Sequence, residues 1–112
     1  MTTHDYPLFV HWQQTLHWIM DSAERFPQKA RFTLANRIVE LALDVLENII
    51  EAIYSGTRKV FLQRINLQLE KLRILFRLSC ERHYISLKQL EYISRQLNEA
   101  GKMTGGWLKQ QA

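Results

Sequence analysis

Residues 58–82 read RKVFLQRINLQLEKLRILFRLSCER, and the architecture turns on how that stretch divides into faces. Leu62, Ile65, Leu69, Leu72 and Phe76 are spaced 3, 4, 3, 4, the repeat of one side of an α-helix. A second set, Val60, Leu67, Ile74 and Leu78, faces elsewhere on the same helix. Two apolar faces exceed what one bundle interior requires. A contact with another subunit would use the surplus, and so would a thick stripe buried within a monomer; the first use predicts homo-oligomerisation. Cys80, in the same run, reads as a small buried hydrophobe, since no partner histidine is specified for it.

Outward from this helix, Gly56 is the predicted stop of the preceding one and Thr57 a predicted N-cap, so the two helices should be antiparallel neighbours across a tight turn. The preceding helix carries Phe32, Ala35, Val39, Ala42, Leu46, Ile49 and Ile53 on one stripe, with Ile38, Leu41, Val45 and Ile50 beside it. Before it, Phe9, Trp12, Leu16, Ile19, Ala23 and Phe26 form another stripe, opened by Asp5 and Pro7 and closed by Phe26-Pro27, because proline disfavours the helical region for the residue before it. On the far side, Ser86 and Gln89 form a capping box, with Ile85 and Leu90 as its hydrophobic staple. The inward stripe that follows is Leu90, Ile93, Leu97, Ala100 and Thr104. Gly101 and Gly105-Gly106 weaken the end of this helix by up to about 1 kcal/mol each relative to Ala. Either a neighbouring backbone approaches closely there, or the helix ends near Gly105 and Trp107 folds back as an anchor.

The chain of 112 residues is 46% hydrophobic with only four Gly and two Pro, so its residues must go into a few long elements. The predicted fold is an all-α, up-down-up-down antiparallel four-helix bundle, one domain over residues 1–112 with helices at about 6–25, 28–55, 58–82 and 87–108. The apolar fraction is too high for a disordered tail. A mean hydropathy of −0.26 and the lack of a long uncharged apolar run predict no membrane span. The lone cysteine cannot form an internal disulfide, and Asp5 and Gln13-Gln14 interrupt any secretory pattern at the start, which predicts a cytoplasmic protein.

Charge is unevenly spread. Residues 1–56 hold four basic and seven acidic side chains, a net −3, and the remainder eleven basic and four acidic, a net +7, together the +4 of the chain. The cations of the second half are interleaved with apolar periodicity, so they belong to a folded face. At a pI near 9.5 this is the footprint of a protein that meets phosphate or an acidic partner, or else a solvated helix face.

Little here carries chemistry. A bundle metal site is announced by Glu-x-x-His on facing helices, and His11, His17 and His83 each lack an acidic residue three positions earlier; with His4, the first two read as surface or interface residues. There is no phosphate-binding glycine loop, Cys/His metal spacing or nucleophile elbow, and neither a metal nor another cofactor is predicted. Glu40, Glu47 and Glu51 share one side of their helix but read as ion-pair partners rather than an acid–base pair. Arg77 and His83 form an Arg-x5-His pair resembling the catalytic motif of the small all-helical HEPN ribonucleases. Leu78 stands where those motifs usually carry a polar residue, and the pair converges only if the helix ends before His83, six residues being about 240° of rotation. The alternative is a structural arginine and a loop histidine. Trp12, Trp18 and Trp107 read as core or interface anchors, and the cations would give salt-dependent, largely sequence-independent affinity for phosphates.

The strings Arg25-Phe26-Pro27, Arg31-Phe32-Thr33-Leu34, Leu69-Glu70-Lys71-Leu72-Arg73 with Arg77-Leu78, Ser86-Leu87-Lys88-Gln89 and, above all, Leu97 to Lys109 with its Gly101-x-x-x-Gly105-Gly106-Trp107 ending resemble the accessory variability determinant proteins of diversity-generating retroelements. More loosely, the chain resembles the four-helix-bundle proteins encoded in intervening sequences of bacterial large-subunit ribosomal RNA. The first resemblance implies a non-enzymatic accessory subunit: a homopentamer with a basic surface that binds RNA and DNA and also the element's reverse transcriptase, supporting mutagenic copying of a template RNA into cDNA. Five copies at +4 each would concentrate about +20 in one ring. From charge, the expected nucleic-acid contacts are Arg58, Lys59, Arg64, Lys71, Arg73 and Arg77, then Arg95 and Lys102. The expected subunit contacts are Val60, Leu67, Ile74, Leu78 and Trp107. The acidic first half suits the polymerase or a neighbouring subunit. A HEPN-like ribonuclease using Arg77 and His83, and a protein-only four-helix adaptor, are the competing readings.

Overall fold

A computed structural model describes residues 2–111. After a short turn at Thr3–Asp5, four long helices follow: α1, Pro7–Glu24; α2, residues 28–54; α3, Arg58–Glu81; and α4, Leu87–Lys109. Each packs on two others, α1 on α2, α2 on α3, α3 on α4 and α4 back on α1, so the four close around one core in a body of 44 × 21 × 21 Å. No strand occurs among the described residues.

The core follows the helical repeat. Phe9, Trp12, Leu16, Ile19 and Ala23 of α1 are buried, as are Leu62, Ile65, Leu69, Leu72 and Phe76 of α3 and Ile93, Leu97, Ala100 and Thr104 of α4. Each large aliphatic or aromatic side chain removed from water contributes about 1.5–3 kcal/mol. Most polar groups inside find partners: Trp12 Nε1 donates across to the Ala42 carbonyl of α2 at 3.0 Å, while the buried Ser22 Oγ has none among the described residues. Thr15, Ser79 and Thr104 each donate to the carbonyl four residues earlier, as hydroxyls inside helices do.

Helix α2 departs from the expected pattern. Its residues Gln28–Ala30 are α-helical, Arg31–Ala35 form a π turn and Asn36–Tyr54 resume the α-helix. The buried positions Ala30, Ala35, Ile38, Ala42, Val45, Ile49 and Ala52 are accordingly spaced five apart once, then three and four. The one extra residue rotates everything before Ala35. Phe32, expected on the inner stripe with Ala35, is instead 86% exposed. Phe26 fills that end of the core, buried against the ring of Tyr84 at 5.6 Å.

The α2–α3 turn also corrects the sequence reading. No described glycine has a positive φ, so Gly56 is not a left-handed stop. The helix ends because Ser55 is extended, and the Arg58 guanidinium satisfies its last carbonyls, donating to Ala52 at 2.7 Å and Ile53 at 3.1 Å. Thr57 precedes α3 without capping it through its side chain; its amide donates instead to Ser55 Oγ at 3.0 Å. At the other end of α3 the amides of His83 and Tyr84 donate to Cys80 and Ser79 at 2.9 and 2.8 Å. This double closure, a Schellman motif, places His83 at φ 62°. The expected capping box of α4 is present, with the Gln89 amide donating to Ser86 Oγ at 3.1 Å and the Ser86 amide to Gln89 Oε1 at 2.7 Å.

Candidate nucleic-acid interface

The outward face of α3 is decided by what its core face uses. With Leu62, Ile65, Leu69, Leu72 and Phe76 buried, a rotation of 100° per residue points Val60, Arg64, Leu67, Lys71, Ile74 and Leu78 away from the core. All six are exposed, so apolar side chains and cations alternate along one ridge. The surplus apolar face is thus unburied within the chain: Val60, Leu67, Ile74 and Leu78 keep between 42% and 57% of their surface open. Lys59 and Arg77 are exposed, on the flank toward α4 by the helical rotation.

Helix α4 adds a second cationic line. Arg95 and Lys102 are exposed, and Lys88 and Lys109, likewise exposed, continue their seven-residue spacing along the same side. Lys88 and Lys109 were not among the expected contacts, although the spacing was available to show them. The outward side of α2 is acidic, with Glu40, Asp44, Glu47 and Glu51 exposed at spacings of 4, 3 and 4. The dipolar sequence therefore folds into a bundle with an acidic helix beside a basic pair.

These charges make few direct pairs with one another. Among the described residues a single ion pair forms, Arg73 to Glu70 at 3.2 Å. The ion-pair role expected of Glu40, Glu47 and Glu51 is not found; Glu40 accepts instead from the Asn36 amide nitrogen at 2.7 Å.

Three of the expected contacts are engaged within the chain: Arg64 lies 5.3 Å from the centre of the Phe61 ring, and Arg58 and Arg73 make hydrogen bonds. Arg58 caps α2 and lies 5.0 Å from the centre of the Trp107 ring. Arg73 bridges α3 and α4, donating to Asn98 Oδ1 at 3.1 Å and the Leu97 carbonyl at 3.4 Å. That bridge passes close to Gly101: a Cβ there would stand 3.0 Å from Arg73 Nη2, so the close approach is by a guanidinium rather than by a backbone. Helix α4 runs through Gly105-Gly106 to Lys109, where added methyl groups would meet nothing within 4 Å. Trp107 does not fold back; it is half-buried and stacks on Tyr6 at 5.4 Å.

Other candidates are structural. Trp12 is in the core, Trp18 packs on Tyr92 and Phe76, and His11 Nε2 bonds the Gln96 carbonyl at 3.0 Å. Helix α3 ends before His83, as a pairing with Arg77 would need, and leaves His83 at the left-handed closing position. Among the described residues no group of three His, Cys, Asp or Glu side chains could hold a metal ion, and no helix is long and apolar enough to cross a membrane.

A groove follows the α2–α3 seam. One part is bounded by Arg37, Glu40, Asp44, Lys71 and Ile74. The next shares Arg37 and Glu40 and continues past Leu78 to Arg82, Tyr84 and the exposed Phe32. It joins the cationic ridge to the π turn.

Compared with known proteins, residues 9–111 match the model of a family described as bAvd-like. No curated protein matches the chain.

Proposed function

The chain belongs to the bAvd-like family, and from that membership we propose that it is a non-enzymatic accessory protein of a diversity-generating retroelement. In this reading it is one cytoplasmic domain, an up-down-up-down bundle, that holds template RNA or cDNA together with the reverse transcriptase. The polymerase performs the chemistry, and this protein supplies a surface.

The observation that carries the reading is the pair of cationic lines on α3 and α4, exposed and without carboxylate partners among the described residues. Each cation placed on a phosphate releases counterions, so affinity accumulates without base contacts and falls steeply with salt. Lys59, Arg64, Lys71 and Arg77 on α3, and Arg95 and Lys102 on α4, are the residues we assign to phosphate. Arg58 and Arg73 contribute charge while also bracing the bundle.

Assembly into a homopentamer would cover Val60, Leu67, Ile74 and Leu78, with Trp107 at the end of the same bundle. Arg64 and Lys71 lie on the same ridge, at the rim of that contact, where they stay open to phosphate. The cations of α4 then remain open to nucleic acid.

The test is fluorescence anisotropy with a structured RNA, comparing the parent with Arg95→Glu/Lys102→Glu. The reading expects the parent to bind at low salt and the double reversal to lose at least about 10-fold, a loss typical of removing several phosphate contacts. Equal binding by both proteins would remove α4 from the interface. No binding by the parent would leave the protein-only adaptor.

A further inference from the structure

Phe32 is the most exposed large hydrophobic side chain of the described residues, and it lies in the π turn of α2. The π turn at Arg31–Ala35 is a costly way to continue a helix, and such turns recur at functional sites. Here it is braced from both sides: Arg31 donates from Nε to the Phe26 carbonyl and from Nη2 to the Glu24 carbonyl, while Phe26 and Ala30 are buried beneath. The core does not need the Phe32 ring, which lines an open groove of about 550 Å³, within the size range of small-ligand sites.

The chemistry of that groove is not that of a plain apolar patch. Arg37 and Arg82 line it against one carboxylate, Glu40, whose side chain already accepts from Asn36. The Arg82 guanidinium lies 5.8 Å from the centre of the Tyr84 ring, which steadies it at the groove wall. An exposed ring beside two guanidinium groups matches an unpaired nucleotide, whose base is a flat π surface and whose linkages are anionic. A duplex offers no free base face to such a ring.

We propose that the groove at the π turn is a base-stacking subsite for single-stranded nucleic acid, in which Phe32 takes one face of an unpaired base and Arg37 and Arg82 take the neighbouring phosphates. This rests on the nucleic-acid reading of the protein and adds to it a discrimination that the cationic lines lack.

The experiment measures affinity of the parent, Phe32→Ala, Phe32→Trp and Arg82→Ala for three probes at one fixed low salt: an oligouridylate, an abasic ribose-phosphate oligomer of equal length, and a duplex RNA. Phe32 is exposed, so its substitution leaves the core intact. The proposal expects Phe32→Ala to weaken oligouridylate binding by about 5- to 150-fold, the range for loss of one stacked base, with the abasic and duplex probes unchanged. Phe32→Trp retains the parent affinity, and Arg82→Ala weakens the oligouridylate and abasic probes alike.

Equal oligouridylate binding by the parent and Phe32→Ala overturns the subsite while leaving the basic surface standing. A parent that binds none of the three probes overturns the nucleic-acid reading itself. If Phe32→Ala lowers the mass of the assembly, or releases the reverse transcriptase, while oligouridylate affinity holds, the ring belongs to a protein contact and the proposal fails.

Discussion

The guanidinium of Arg58 lies 5.0 Å from the centre of the Trp107 ring, joining the first residue of α3 to the last turns of α4. The same guanidinium donates to the carbonyls of Ala52 and Ile53. One side chain at the start of α3 therefore closes the last carbonyls of α2 and braces α4. Arg58→Ala is expected to destabilise the fold by about 2–4 kcal/mol, the loss of charge-assisted hydrogen bonds together with a cation–π contact. Arg58→Lys recovers only part of this, because an ammonium lacks the planar fork that reaches two carbonyls at once. Urea denaturation checks both variants, and an unchanged midpoint for Arg58→Ala would refute the bracing role.

His83 occupies a left-handed conformation at φ 62°, which costs a side-chain-bearing residue about 1–2 kcal/mol. His83→Gly is therefore expected to stabilise the protein by about 1 kcal/mol and to leave RNA binding unchanged. If the protein cleaves RNA and His83→Gly abolishes cleavage without unfolding it, the ribonuclease reading replaces the accessory one.

The glycines of α4 should separate by environment. Gly106→Ala meets open space and gains up to about 1 kcal/mol of helix propensity. Gly101→Ala gains the same propensity but pushes on Arg73, which is held by Asn98, Glu70 and the Leu97 carbonyl, so its net stability should fall below that of Gly106→Ala. Thermal melts of the two variants test the ordering.

The ridge of α3 should be expendable for folding and necessary for assembly. Leu67→Glu/Ile74→Glu alters only exposed positions and is expected to keep the helical circular dichroism of the parent while reducing its mass to 13.4 kDa. A double variant that assembles as the parent does would place the subunit contact elsewhere.

The helices and most of the core were legible because buried faces repeat every three or four residues, and Leu62 to Phe76 show that repeat without interruption. The capping box at Ser86 and Gln89 was legible because it is local. Phe32 was misplaced because a π turn adds one residue to the count, leaving only the five-residue gap between Ala30 and Ala35 as its trace. The α2 stop was misread because Gly56 is a familiar signal, whereas Arg58 caps from beyond the turn and depends on a tertiary path. The cationic character of α3 and α4 was plain from composition, but which cations are spent on the fold was not: Arg73 and Gly101 are 28 positions apart in number and meet only when α3 packs on α4.

The most direct test of the central claim is the light-scattering mass of the protein after size exclusion, with and without a structured RNA, at about 50 mM and about 500 mM salt, a range over which counterion release lowers affinity strongly. The account predicts an assembly of about 67 kDa, five closed copies of the chain, that gains mass with RNA at the lower salt and loses that gain at the higher. A 13.4 kDa species whose mass ignores RNA at both salts would contradict it.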